Sequence, residues 1–212
     1  MKIGLISDIH GDPVALELAW AHLTVLGADQ IICAGDLVGY GPFPDRVVAF
    51  LAEHKIPCVR GNHDRWALER GPGAPDEFRG GTPSLEALEF LRGLPFDHLI
   101  TDGGRIGVVV HGSPFSDMEF VTPRTHPPAV LRDYLTAIRA DLLVVGHTHT
   151  PMWSRWSRGL VVNPGSVVSV PVTTTSRTFA LLDLDSLSVT FHDVESGAEV
   201  AVEPWPDEGR GP

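Results

Sequence analysis

Ile3-Gly4-Leu5-Ile6-Ser7-Asp8-Ile9-His10 opens the chain with an apolar run that ends abruptly in a carboxylate and an imidazole. Four later stretches repeat the arrangement. Ile31-Ile32-Cys33-Ala34 runs into Gly35-Asp36, and Ile56-Pro57-Cys58-Val59 precedes Gly61-Asn62-His63-Asp64. Ile106-Gly107-Val108-Val109-Val110 runs into His111-Gly112, and Leu142-Leu143-Val144-Val145 into Gly146-His147-Thr148-His149. The runs are rich in β-branched residues and do not alternate with polar ones, the pattern of strands covered on both faces. In open α/β sheets, groups placed beyond the carboxyl ends of strands share one crevice. The five motifs are therefore predicted to meet at one edge, although they span residues 8 to 149.

Between these runs the period changes. Asp12 reads as a helix cap with Pro13 at the first position, and Val14, Leu18, Ala21, Leu23 and Val25 as its apolar side. Further helices are predicted over Asp45–His54, Pro83–Arg92 and Pro128–Ala140. Beyond these, Trp153–Trp156, Leu160–Asn163, Phe179–Leu184 and Ser188–Asp193 read as sequential antiparallel strands, and Asp102-Gly103-Gly104-Arg105 as a hairpin turn. An α/β first half passing into β-meanders predicts an α/β fold of two packed sheets with helices outside.

The chain has 212 residues, no repeat and no linker between the motifs, so a single domain over 1–202 is expected. Gly71–Pro83 reads as a surface loop. Residues 203–212, with three Pro and two Gly, read as a frayed tail. The net charge of −11 argues against a duplex-DNA binder, which needs basic residues to neutralise phosphates, but not against a small anionic substrate. No apolar run is long enough to span a bilayer and no signal peptide is evident, so a cytoplasmic protein without a membrane partner is expected. Cys33 and Cys58 fall inside strand-like runs and read as small buried hydrophobes. The oligomeric state is not readable.

Of the ten histidines, His10, His63, His111, His147 and His149 lie in the motifs, whereas the other five have no ligand-type neighbours. Imidazole, carboxylate and amide donors without thiolate suit borderline divalent ions such as manganese, iron, cobalt, nickel or zinc. The candidate ligands are too many for one ion and fit two. Asp36, following a glycine at a strand end, is the natural bridge. Two cations held in this way lower the pKa of a bound water and clamp both oxygens of a displacement, which suits a phosphate ester.

Asp-x-His, Gly-Asp, Gly-Asn-His-Asp, His and Gly-His-x-His, in this order, resemble the calcineurin-like metallophosphoesterase superfamily. Gly35–Pro42, His111-Gly112-Ser113-Pro114 and Asn163-Pro164-Gly165-Ser166 resemble its small bacterial and archaeal phosphodiesterase-like members. The resemblance covers residues 1 to about 193. It implies the metallophosphoesterase fold, two mixed β-sheets packed as a sandwich and flanked by helices. It implies two divalent ions, manganese first among them, with Asp8, His10, Asp36 and His149 on one and Asp36, Asn62, His111 and His147 on the other. It also implies that His63 contacts the phosphate and assists the leaving group while Asp64 polarises its imidazole, the alternative for Asp64 being a helix cap over Arg65–Glu69.

Three regions depart from the resemblance. Val168-Ser169-Val170-Pro171 stands where relatives continue with Gly-Gln-Pro-Arg. Residues 65–94 are short and rich in Gly and Pro, and Phe115-Ser116-Asp117 replaces an Arg-Asp-Pro type of continuation. The expected activity is thus hydrolysis of phosphodiesters, with monoesters also open, on a small phosphoester or nucleotide-like substrate. The competing readings are a non-catalytic metal-binding scaffold of the same fold and a nuclease acting on short single strands. Tyr40, between Gly39 and Gly41, is a candidate wall of the site.

Overall fold

The computed structural model describes residues 1–76, 78–156, 159–169 and 177–205. Its strands are β1 (Lys2–Ile6), β2 (Gln30–Cys33), β3 (His98–Asp102), β4 (Arg105–Val109), β5 (Leu142–Val144), β6 (Met152–Trp156), β7 (Gly159–Asn163), β8 (Thr178–Asp183), β9 (Ser188–Asp193) and β10 (Glu199–Val200). The helices are α1 (Pro13–Val25), α2 (Pro44–Glu53), α3 (Asn62–Arg70), α4 (Leu85–Arg92) and α5 (Pro128–Ile138). One sheet runs β10-β9-β8-β1-β2, the other β3-β4-β5-β7-β6. Both are mixed. β1 is parallel to β2 and antiparallel to β8, while β4, β5 and β7 are parallel with antiparallel β3 and β6 at the edges.

The continuous apolar runs are accounted for by three layers of core. Ile3, Leu5, Ile32 and Ala34 of the first sheet meet Val109, Leu142, Val144, Leu160 and Val162 of the second. On the opposite face of the first sheet, Ile6 and Cys33 pack with Leu16, Leu23, Val47, Leu51 and Leu91 of the helices. On the outer face of the second, Val108, Leu143, Val145 and Val161 pack against Leu131 and Leu135 of α5. Each fully buried aliphatic side chain contributes roughly 1.5–3 kcal/mol relative to exposure. A polar residue on either face must find a hydrogen-bond partner inside the fold.

Several boundaries follow from local chemistry. Asp12 caps α1 by accepting from the N–H groups of Val14 and Ala15, at 3.0 and 3.1 Å. Ser84 does the same for α4, so that helix starts two residues after Pro83. The third motif has no full strand before it. Pro57 lacks an N–H, and only an isolated parallel bridge joins Cys58 to Cys33. The expected meander is two hairpins assigned to different sheets: β6–β7 extends the second sheet through β5, and β8–β9 extends the first through β1.

Glu203–Trp205, at the start of the expected tail, are tied to the fold through Trp205. Trp205 is buried in the α5 core and donates its N–H to the Trp153 carbonyl at 2.8 Å, while Trp153 Nε1 donates to Val202 at 2.8 Å. An indole supplies enough apolar area to offset the ordering of a short terminal segment. Residues 206–212 lie outside the described residues, as do Val170 and Pro171 of the divergent segment. No helix among the described residues is long and apolar enough to cross a membrane.

Candidate metal centre

The five motifs converge where the carboxyl ends of β1 and β2 in one sheet face those of β4 and β5 in the other. Asp8, His10 and His149 form one group of potential ligand atoms within 4.8 Å of one another, and Asp36, His111 and His147 form a second. His10, Asp36 and His63 form a third, which overlaps both. Asn62 joins the second group, its Oδ1 3.0 Å from His111 Nε2. Asp36 lies between the groups, with Oδ2 3.2 Å from His111 Nε2 and 3.9 Å from His10 Nε2. All of these side chains are buried.

The backbone bends sharply to achieve this. Asp8, His10, Asp36, His147 and His149 all have φ between 47° and 66°. A left-handed residue other than glycine costs of order 1–3 kcal/mol and persists only where the surroundings over-determine it. Here the two strand ends brace each other. Asp8 N donates to Gly35 O at 2.9 Å, and His10 N to Asp36 O at 3.0 Å. His147 N donates to Asp8 Oδ2 at 3.1 Å and Ser7 Oγ to the same oxygen at 2.6 Å. The Asn163 side chain braces the last motif by donating to Gly146 O at 2.7 Å and to Thr148 Oγ1 at 3.0 Å.

Tautomers follow from the carbonyl partners, which can only accept. His10 Nδ1 donates to Val38 O at 3.1 Å and His111 Nδ1 to Ala34 O at 2.7 Å, so each Nε2 faces the cluster. Burial pulls the His10 and His147 imidazoles down to about 4 and keeps them neutral. Burial acts the same way on His111, but Asp36, Asp8 and the Ala34 carbonyl outweigh it and raise its pKa to about 10. Burial would raise Asp36 too, yet His111, His10 and His63 hold its carboxyl well below the usual range.

Asp64 makes no hydrogen bond to the His63 ring, whose buried Nδ1 has no partner. Its carboxylate accepts from the N–H groups of Gly61 at 2.9 Å, Leu37 at 2.9 Å, Asp36 at 3.1 Å and Val38 at 3.2 Å. It caps α3, which starts at Asn62 rather than Arg65, and ties the cap to the Asp36 loop. The physical reason is reach. The short buried carboxylate lies within reach of one free N–H at the α3 cap and three of the Asp36 loop, and these satisfy its oxygens. His63 donates its own N–H to Asp36 Oδ1 at 2.8 Å, and its buried Nδ1, set against Gly39, has no hydrogen-bond partner.

Two buried atoms test whether the donors suit a cation. Asp8 Oδ1 and His147 Nε2 have no hydrogen-bond partner, although Asp8 Oδ1 lies only 3.2 Å from His149 Nε2. His10 Nε2 and His149 Nε2 are 3.0 Å apart. Buried lone pairs crowded in this way are costly unless a shared positive charge joins them. Nitrogen and oxygen donors without thiolate fit borderline divalent ions. Several neighbours that complete the site, Ser7, Asp76, Trp66, Phe78 and Phe120, carry no signal in the sequence. Their types are ordinary, and only the folded loops bring them to the cleft. Tyr40 does line it, its ring 4.9 Å from those of His10 and His63.

This fold and this donor set define a metal-dependent hydrolase of phosphate esters. The chain belongs to the calcineurin-like phosphoesterase superfamily, whose domain profile matches residues 1–187. It is 29% identical over 215 residues to phosphodiesterase YfcE of Escherichia coli K12, covering 96% of this chain and all of that one. Among solved structures it is similar to a metallophosphoesterase from Sphaerobacter thermophilus, with 30% identity and a TM-score of 0.71 over 92% of this chain and 88% of that one. It is also similar to the hypothetical protein PH1004 of Pyrococcus horikoshii, with 25% identity and a TM-score of 0.77 over the same shares.

Proposed function

We propose that the protein hydrolyses phosphodiesters at a pair of divalent cations bridged by Asp36, with manganese the first ion to test and iron, zinc, nickel and cobalt the others that suit the donors. One ion would be held by Asp8, His10, Asp36 and His149, the other by Asp36, Asn62, His111 and His147. The observation that carries this reading is the position of the Asp36 carboxylate between two groups of buried donors drawn from both sheets. When bound, the cations neutralise charge on the phosphate oxygens and lower the pKa of an attacking water.

The chain's own residues set the geometry. The Val38 and Ala34 carbonyls fix the tautomers of His10 and His111, and Asp64 fixes the loop that carries Asp36. With Nδ1 of His63 against Gly39, Nε2 is the ring atom left to hand a proton to the departing oxygen. The diester reading is supported by a cleft of about 360 Å³ that adjoins the candidate ligands and offers space for a second substituent.

Metal analysis with an aryl phosphoester panel tests the reading. Asp36→Asn is expected to lose both bound metal and turnover, because one side chain serves both ions. His63→Ala is expected to keep the metals and lose turnover by about 10²-fold or more, as for a general acid. Full activity of the Asp36 variant would sink the bridged pair, and a far faster aryl monoester would reverse the diester preference. Metal binding without turnover on any ester would favour a scaffold.

A further inference from the structure

The cleft beside the metal centre has a volume of about 360 Å³, at the small end of ligand pockets. Apart from the metal-side residues, it is lined by Tyr40, Trp66, Phe78, Met118, Phe120 and Thr148. No Lys or Arg is among the described residues that line it. Arg65, beside Trp66, is occupied: its guanidinium makes a two-point contact with Asp117, at 2.7 and 3.3 Å, and a third with Glu69 at 2.9 Å. Charge recognition is therefore left to the metal centre, and the rest of the cleft offers flat apolar surface.

That surface is organised. The His63 ring has Phe78 at 4.6 Å and Trp66 and Tyr40 at 4.9 Å, and Trp66 and Phe78 lie within 21° of parallel. Phe120 sits 4.2 Å from the His147 ring. Phe120 and Met118 remain 54% and 40% exposed. Apolar groups kept in water beside an active site are a cost unless a ligand covers them.

The loops that carry these rings are anchored. Asp76, buried, accepts from Tyr40 N at 3.2 Å and Gly80 N at 2.9 Å, and pairs with Arg70 at 3.2 Å. It thereby joins the Tyr40 loop to the segment bearing Phe78. The Arg65–Asp117 pair joins α3 to the loop bearing Met118 and Phe120.

We propose that the cleft recognises a flat aromatic group, of nucleobase or aryl size, carried by the phosphoester substrate. Trp66, Phe78 and Phe120 set this preference by stacking and apolar contact, and Asp76 is a positioning residue for Tyr40 and Phe78. The inference rests on the phosphoesterase reading above and narrows its substrate class.

Calorimetry on manganese-loaded protein tests it with inorganic phosphate, ribose 5-phosphate and adenosine 5′-monophosphate as probes. The last two differ by the base alone. Stacking of one base on aromatic side chains predicts about tenfold or more tighter binding of the nucleotide. Trp66→Ala and Phe78→Ala should each narrow that ratio, and Asp76→Asn should narrow it with little change for ribose 5-phosphate. A merely structural role for Asp76 would weaken both probes alike and would overturn its positioning role. Equal affinity of the unaltered protein for the two probes would overturn the aromatic preference while leaving the phosphoesterase reading intact. If none of the three probes binds, the manganese-loaded centre does not hold a terminal phosphate, which overturns the inference and separates that failure from one of the aromatic preference.

Discussion

Asp8, His10, Asp36, His147 and His149 are all placed by left-handed backbone, and none of them is glycine. Asp and His tolerate that region better than most residues, so the types that bind metal are also types that can make the turn. The candidate ligands are legible from their positions at strand ends, and the structure brings them together. The strain is not legible, because φ depends on braces such as Asp8 N to Gly35 O that sequence does not display. Asp64 shows the same limit: the resemblance implies a pairing with His63 and the sequence allows a cap, and four N–H groups from two separate loops occupy its carboxylate. A pH prediction belongs at this scale. His111 has its pKa raised to about 10 over the ordinary 6.5, so without metal it carries a proton at pH 8. A bound cation needs the bare Nε2, so metal binding at pH 8 is expected to release about one proton or more, measured by calorimetry in buffers of different ionisation enthalpy. The sign for stability follows from the raised value. In the metal-free fold, the His111–Asp36 contribution is full below about pH 6.5 and lost as pH rises through about 10. Metal uptake without proton release at pH 8 would refute a charged His111.

At the level of elements, strands followed by short capped turns were readable because burial on both faces demands unbroken apolar runs. Helices α1, α2, α4 and α5 fall close to their expected ranges, since Asp12, Ser84 and prolines mark their starts. The division of the last strands between two sheets was not readable. Hairpins β6–β7 and β8–β9 both bury apolar residues, and nothing local states which sheet edge each will extend. The junction at the start of α3 carries the sharpest test. Gly61 is its N-cap with φ −90°, so its role is space rather than backbone freedom. A Cβ there would lie 2.1 Å from Asp36 Oδ1 and 2.5 Å from Asp36 N. Backbone cannot yield cheaply, so Gly61→Ala should displace the Asp36 carboxylate. The expected result is loss of metal and of turnover by about 10²-fold or more, the scale set by small misplacements at active sites. Far-UV circular dichroism should stay unchanged, since α3 loses only its entry geometry. Metal content equal to that of the unaltered protein would show that the loop relaxes.

On the scale of the whole molecule, the candidate ligands do more than chemistry: Asp8, His10 and Asp36 belong to one sheet's edge and His111, His147 and His149 to the other's. Ions held there would clamp the two sheets at one end, and the shared core of Leu5, Val109, Val144 and Val162 holds them elsewhere. A net charge of −11 favours cation uptake generally, so a specific clamp must be separated from weak surface binding. Linkage provides the separation. An ion present at about 100 times its dissociation constant stabilises the fold by about 2.7 kcal/mol, and two independent ions by roughly twice that. In a protein of this size each kcal/mol moves the melting temperature by roughly 2–4 °C, so chelation is expected to lower it by about 10–20 °C. The transition should stay single, because the clamp and the core join the same two sheets. Asp36→Asn should erase nearly all of the manganese-dependent shift, since it removes a ligand from both ions. A non-specific effect of divalent ions on an acidic surface would survive that substitution and would also appear with magnesium. Scanning calorimetry of both proteins, with chelator, magnesium and manganese in turn, distinguishes the two. Persistence of the full shift in the Asp36 variant would remove the case for a bridged centre between the sheets.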